Sequence, residues 1–185
     1  MSFFVSVHGR SIADVSQNIT SSVIVGVPLS AKDGGLSPRL AHAAQIVLDS
    51  PVKTVMVPIN VTHTALMTPE QHARLLDPKS SDLVPKAATP LRHTLSTAMV
   101  FFAATYKAVF DFNSPPIHDA LTIAYVSNPN LFHGKRYRVD VELTGTHTTG
   151  ETVVDMYNYR QCDETWGAYG KNCFVTQGLE VSVNL

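Results

Sequence analysis

The sequence predicts an α/β fold in which a mostly parallel sheet is flanked by helices and followed by a late β-hairpin. Residues 52–61 are β-branched and apolar on both faces, which is typical of a strand buried in a parallel sheet. Residues 91–110 repeat apolar side chains at spacings of three and four, the pattern of an amphipathic helix. Tyr137–Leu143 alternates apolar and polar residues, and Thr152–Tyr157 follows a turn region at Gly145–Gly150, which indicates a hairpin.

The chain begins with a stretch of weak periodicity. Residues 1–42 scatter serine and threonine among apolar residues, so we expect a divergent, irregular leader there and the folded domain over residues 43–185. Within the leader, Val23–Val27 is a candidate for a short strand. A helix is predicted over Ala41–Leu48, just before the buried strand.

Helix signals dominate the middle of the chain. Thr68 is placed to cap a short helix with Pro69 at its first position, and residues 78–90, with three prolines and two serines, are predicted to form a loop. The helix over 91–110 follows, and its apolar stripe consists of Leu95, Met99, Phe102, Tyr106, Val109 and Phe110. In the hairpin, the acidic residues Asp140, Glu142 and Asp155 alternate with apolar ones and are expected to face solvent.

The segment Asn113–Leu121 places a histidine beside an aspartate at the predicted start of another helix. Ser114 is a plausible N-cap, and Pro115-Pro116 suits the first turn, where a missing N–H costs least. The positive end of the helix dipole would favour ionised Asp119, and His118 is a side chain that can exchange a proton near neutral pH. A His–Asp pair by itself is most often a surface histidine beside a capping aspartate. The surrounding sequence must therefore decide whether this pair belongs to a functional site.

Composition excludes several classes of partner. The 185 residues carry a net charge of −1 and no basic cluster longer than Lys135-Arg136, so we expect no nucleic-acid partner. No apolar stretch is long enough to span a membrane, and Met1–Val5 lacks the basic start of a signal peptide. Cys162 and Cys173 show no metal-binding spacing, which favours reduced thiols over a disulfide and a cytoplasmic location.

Three blocks of sequence stand out for their order and spacing. They are VKTVMVPINVTHTALMTPEQ (52–71), SPPIHDALTIAYVSNPNLF (114–132) and RYRVDVELTGTHTTGETVVDMYN (136–158). Together they resemble the inosine/uridine-preferring nucleoside hydrolases, above all the fungal uridine or ribonucleoside hydrolases. The resemblance extends over residues 43–180 and implies the C-terminal portion of the nucleoside hydrolase fold.

The resemblance implies an activity and two site residues. Family members hydrolyse the N-glycosidic bond of ribonucleosides such as uridine and inosine, giving ribose and a free base through an oxocarbenium-like transition state. A bound Ca²⁺ holds the ribose diol and orients the attacking water, in place of one carboxylate of the usual glycosidase pair. Asp119 matches a calcium ligand of the family, and His118 matches the residue proposed to protonate the leaving base in purine-cleaving members.

The resemblance also points to weaker candidates. Tyr106 and Phe110 lie where family members place mobile residues that cover the substrate, although both also fit the apolar stripe and core packing is the favoured interpretation. Thr62 and His63 belong to the VTH run that the family carries at a strand end. We interpret both as mainly structural, closing the strand-to-helix turn.

The family's acid-rich opening motif, DxDPGxDD, has no counterpart in this sequence. Residues 1–40 contain only Asp14 and Asp33, and neither is near a Pro-Gly pair. Because the other calcium ligands and the general base come from that motif in the family, we expect this chain alone to bind Ca²⁺ poorly and to lack turnover. The second hypothesis is therefore a catalytically inactive fragment that packs against another subunit; a homo-oligomer and a complementing subunit both stay open.

Overall fold

The computed structural model describes residues 6–10, 20–24 and 38–180, and the chain divides into two compact units. The first unit, here called the sheet unit, comprises the described residues up to Thr62 and from His118 onward. The second, here called the helical unit, spans His63–Ile117. The predicted α/β class is confirmed, since the sheet unit combines a sheet with helices.

The sheet is mixed rather than mostly parallel. Its strands are β1 (Ser6–Arg10), β2 (Thr20–Ile24), β3 (Lys53–Met56), β4 (Phe132–Val141), β5 (Thr152–Asp155) and β6 (Cys173–Leu179). Across the described residues the strand order is β1-β2-β3-β6-β4-β5, and the parallel pairs are β2 with β3 and β3 with β6, while the other three neighbouring pairs are antiparallel. The buried parallel strand expected near residue 52 is thus present at the middle of the sheet.

The two N-terminal strands correct the expectation of an irregular leader. β1 and β2 pair in antiparallel fashion with Ser6 opposite Ile24, and β2 also pairs in parallel with β3. Main-chain hydrogen bonds to neighbouring strands organise these segments, and such bonds leave little trace in side-chain periodicity. The candidate strand Val23–Val27 overlaps β2 at its first two residues, and residues 25–27 lie outside the described part. The domain boundary at residue 42 stays a prediction.

The predicted strand over 52–61 is correct only at β3. Pro58 has no N–H with which to continue a strand ladder. Its carbonyl accepts hydrogen bonds from the N–H groups of Val61 and Thr62, at 2.9 and 3.1 Å, and the chain turns into the short helix α2 (Ile59–Thr62). The carboxyl end of β3 is thereby converted directly into a helical turn.

The core of the sheet unit forms where helix α1 (Pro38–Asp49) packs on the strands. The helix predicted over 41–48 is confirmed within these bounds. β6, which contributes two of the core residues, has no counterpart among the predicted strands. The core residues are Ala41, Ala44 and Leu48 of α1, Met56 of β3, Tyr137, Val139 and Val141 of β4, and Cys173 and Val175 of β6. Cys162 and Cys173 are free thiols, and burial raises the pKa of Cys173.

A buried arginine breaks the expected inside–outside alternation of the hairpin. The hairpin itself is confirmed as β4 paired with β5. The guanidinium of Arg138, only 6% exposed, donates to Asp49 at 3.0 Å and, through Nε, to Asp140 at 2.9 Å. It also donates to the carbonyls of Gly167 and Ala168 at 3.0 and 2.7 Å. The expectation that Asp140 faces solvent is therefore wrong, because helix α1 and the loop that contains Gly167 and Ala168 cover this part of the hairpin.

The helical unit contains α3 (Pro69–Leu76) and α4 (Pro90–Phe110), both close to their predicted bounds. Thr68 caps α3 in a reciprocal capping box with Gln71, as predicted from Thr68 and Pro69. A loop joins the two helices, as expected from its prolines. Among the residues of α4 only Ser96 is buried, so the predicted apolar stripe is only partly covered. Across the described residues, no helix combines the length and apolar character that crossing a membrane requires.

Candidate active site at the start of helix α5

Helix α5 (His118–Ser127) begins at the histidine of the His–Asp pair, so both residues lie in its first turn. Leu121 and Thr122 are buried on the inner side of the helix, and the Thr122 hydroxyl donates to the Asp119 carbonyl at 2.7 Å. Asp119 is exposed and His118 is half-buried. The first turn thus presents an exposed carboxylate beside a half-buried imidazole.

The segment before α5 differs from the sequence prediction. Ser114 does not cap the helix, and Pro115-Pro116 precedes it in extended form. The Pro115 carbonyl accepts from the Met67 N–H, and the Ile117 N–H donates to the Ala65 carbonyl, both at 2.9 Å. Proline suits such a segment because its fixed φ favours extended chain and its missing N–H is not needed at these positions. The helix therefore starts at His118 rather than at the prolines.

A buried threonine from a distant part of the chain holds the imidazole of His118. The hydroxyl oxygen of Thr62, the last residue of α2, lies 2.7 Å from Nδ1 of His118. The same hydroxyl donates to the Ile59 carbonyl at 3.1 Å, and Thr62 is fully buried. The two residues are 56 positions apart. The sequence interpretation of Thr62 as a turn residue is correct but incomplete, since no local pattern relates it to His118.

The other sequence candidates lie in the helical unit. Tyr106 is half-buried in an aromatic cluster, with ring centroids 4.6 Å from Phe102, 5.1 Å from Phe110 and 5.9 Å from Phe112, and burial raises its pKa. Phe110, at the end of α4, is 58% exposed. Core packing thus describes Tyr106 but is wrong for Phe110. A role for either residue in covering a substrate stays a prediction.

His63 belongs to the same aromatic cluster. Its ring centroid lies 5.2 Å from that of Phe112 in an edge-on arrangement. Burial lowers the pKa of His63, since desolvation disfavours the charged imidazolium. This environment agrees with the structural role inferred for His63 from the sequence.

Metal-binding side chains are sparse around Asp119. Among the residues that the structure describes, no group of three or more His, Cys, Asp or Glu side chains is placed to hold a metal ion. Calcium usually requires about six to eight oxygen ligands. Asp119 can supply at most two of them, so these residues alone do not form a calcium site.

Comparison with known proteins identifies the family. The profile of the family described as "Inosine-uridine preferring nucleoside hydrolase" matches residues 41–182. A protein of Dictyostelium discoideum named "Probable ribonucleoside hydrolase" is 37% identical over 132 residues, which cover 68% of this chain and 38% of that protein. The inosine-uridine preferring nucleoside hydrolase of Crithidia fasciculata is 32% identical over 119 residues, 64% of this chain and 35% of that protein.

Solved structures agree on the fold. A purine-preferring ribonucleoside hydrolase from Gardnerella vaginalis superposes with a TM-score of 0.58 at 21% identity, over 75% of this chain and 39% of that one. The mixed sheet with its helices is consistent with part of the nucleoside hydrolase fold. The chain spans less than half the length of these relatives. By its sequence, this chain belongs to the inosine-uridine preferring nucleoside hydrolase family.

Proposed function

We propose that this chain contributes the C-terminal part of a ribonucleoside hydrolase active site. The reaction is the hydrolysis of the N-glycosidic bond of a purine or pyrimidine ribonucleoside to ribose and free base, in nucleoside catabolism in the cytoplasm. One observation carries the proposal. The first turn of α5 presents His118 and Asp119 side by side, with the imidazole fixed to a buried hydroxyl, in a chain of this family.

The proposed role of His118 follows from the bond that breaks. When the bond between the anomeric carbon and the base nitrogen cleaves, its electron pair goes to the base. Water adds to the anomeric carbon and releases one proton to give ribose, and this proton balances the one that the base takes up. A proton supplied to the base makes it a better leaving group. A positioned imidazole can supply that proton, and such general acid catalysis is worth about 10²–10⁴-fold in rate.

The proposed role of Asp119 is to hold Ca²⁺ together with ligands that the described residues do not supply. An exposed carboxylate in a first helical turn is a hard oxygen donor of the kind that calcium prefers. The described residues do not complete the site.

The first prediction concerns metal binding by the 185-residue chain. Isothermal calorimetry should show Ca²⁺ binding that is weak or absent, because one carboxylate cannot replace a set of about six oxygen ligands. Asp119→Asn serves as the matched variant, since it removes the charge and keeps the shape. Micromolar affinity that Asp119→Asn abolishes would contradict the prediction and reveal further ligands.

The second prediction tests the proposed function itself. A hybrid that supplies the family's N-terminal half, with its DxDPGxDD motif, ahead of residue 41 should release ribose from inosine or uridine, as measured by a reducing-sugar assay. The 185-residue chain alone should release none above background, since water activation and metal binding fail together rather than additively. A correctly folded hybrid without turnover would overturn the proposed function. Turnover by the chain alone would overturn the assignment of the missing groups.

A structural role is the second candidate, favoured by the exposed apolar surface of α4. Leu91, Phe101 and Val109 are 67%, 75% and 64% exposed, more apolar surface than a solvent-facing helix requires. In that role the chain would pack against another subunit without catalysis. Analytical ultracentrifugation of the chain discriminates the two: stable association without any turnover in the hybrid supports the structural role.

A further inference from the structure

We propose that Thr62 is a positioning residue for His118. Its buried hydroxyl fixes the imidazole in the tautomer that carries hydrogen on Nδ1, so that proton transfer in the reaction uses Nε2. The use of Nε2 in proton transfer rests on the proposed function. The hydrogen bond between Thr62 and His118 and the tautomer that it selects do not depend on turnover.

The hydrogen-bond inventory of Thr62 defines the tautomer. A hydroxyl has one hydrogen to donate and lone pairs with which to accept. The Thr62 hydroxyl contacts both the Ile59 carbonyl, at 3.1 Å, and Nδ1 of His118, at 2.7 Å. A carbonyl oxygen can only accept, so the hydroxyl hydrogen must point to Ile59 for that contact to be a hydrogen bond. Nδ1 must then be the donor, and both contacts are satisfied at once.

The alternative arrangement is worse inside the protein. If the hydroxyl donated to an unprotonated Nδ1, its oxygen would face the Ile59 carbonyl oxygen with no hydrogen between them. Thr62 is fully buried, so water is not at hand to relieve that contact. Leaving buried polar atoms without a hydrogen bond is unfavourable, which favours the arrangement with Nδ1 as donor.

The threonine is itself held rigidly. Val61 and Thr62 are both fully buried, and their N–H groups bond to the Pro58 carbonyl at 2.9 and 3.1 Å. The β-branched side chain restricts rotation about χ1, and the hydroxyl bond to the Ile59 carbonyl, at 3.1 Å, selects the rotamer of Thr62.

The test is the nitrogen chemical shifts of the His118 ring in the full 185-residue chain. The chain is labelled with ¹⁵N-histidine, His118 is assigned by its loss in His118→Gln, and spectra are recorded at about pH 8.5, where an ordinary imidazole is neutral. We expect a protonated-nitrogen shift at Nδ1 and an unprotonated shift at Nε2, the reverse of the pattern that free histidine prefers. In Thr62→Val, which keeps the shape but lacks the hydroxyl, this pattern should be lost, and Thr62→Ser should restore it.

A matched control separates positioning from general destabilisation. Thr176 is also a fully buried threonine of the sheet unit, and its hydroxyl donates to the Met56 carbonyl at 3.2 Å rather than hydrogen-bonding to His118. Thr176→Val should therefore leave the His118 shifts unchanged. An Nε2-protonated His118 in the unmodified chain would overturn the proposal, and so would a Thr62→Val variant that folds and keeps the Nδ1-protonated pattern. Neither result depends on hydrolysis, so failure here is distinguishable from failure of the proposed function.

Discussion

Replacing Arg138 by leucine is expected to destabilise the sheet unit by about 3–5 kcal/mol, the usual cost of removing one partner from a buried ion pair. The side chain of Arg138 lies beside Asp49 and Asp140, and its guanidinium also satisfies the carbonyls of Gly167 and Ala168. Leucine would leave the Asp49 carboxylate and the two carbonyls without this donor in a partly desolvated place, and would leave Asp140 with Arg160 as its charged partner. Lysine in this position should recover only part of the loss, because an ammonium cannot donate in a planar fork.

Arg160 offers a matched control on the same carboxylate. It pairs with Asp140 at 2.6 Å, but its side chain is 62% exposed. Exposed ion pairs contribute about 0–1 kcal/mol, so Arg160→Leu should change the free energy of unfolding little. Urea denaturation of both variants measures the difference directly. Equal losses for Arg138→Leu and Arg160→Leu would show that burial of Arg138 does not set its contribution.

Local chemistry explains which elements could be predicted from the sequence. The capped start of α3 at Thr68 and the hairpin of β4 with β5 are encoded by neighbouring residues, and both are present. The β-branched residues of 52–61 predict a strand that continues to residue 61, whereas the missing N–H of Pro58 ends the ladder after β3. The strands β1 and β2 depend on pairing between distant segments, which side-chain periodicity does not report.

The candidate site likewise contains residues that local sequence can predict and residues that only the fold brings together. The His118–Asp119 pair was identified because both residues are adjacent and precede an apolar helical run. The sequence predicts a helix start that is too early, because Pro115 and Pro116 fit either a first helical turn or an extended segment. The hydrogen bonds of this segment with Ala65 and Met67 select the extended form. Thr62 reaches His118 only through the fold, so sequence reasoning could assign it no more than a role in its own turn.

In the hybrid described above, His118→Ala should lower kcat/KM for inosine by about 10²–10⁴-fold, the usual contribution of a general acid. A purine leaves poorly as an anion and benefits from a proton at a ring nitrogen. The loss in kcat/KM for uridine should be smaller than the loss for inosine. Substrate binding should change little, because the proposed proton transfer develops in the transition state and not in the ground state.

The most direct test of the central claim, that the first turn of α5 carries the proton donor of a ribonucleoside hydrolase, is the rate of ribose release from inosine by the hybrid and by its His118→Ala form. His133→Ala is the matched control, since His133 is an exposed histidine of β4. We predict that His118→Ala loses about 10²–10⁴-fold in kcat, while His133→Ala retains the full rate. Equal rates for the hybrid and its His118→Ala form would contradict the account.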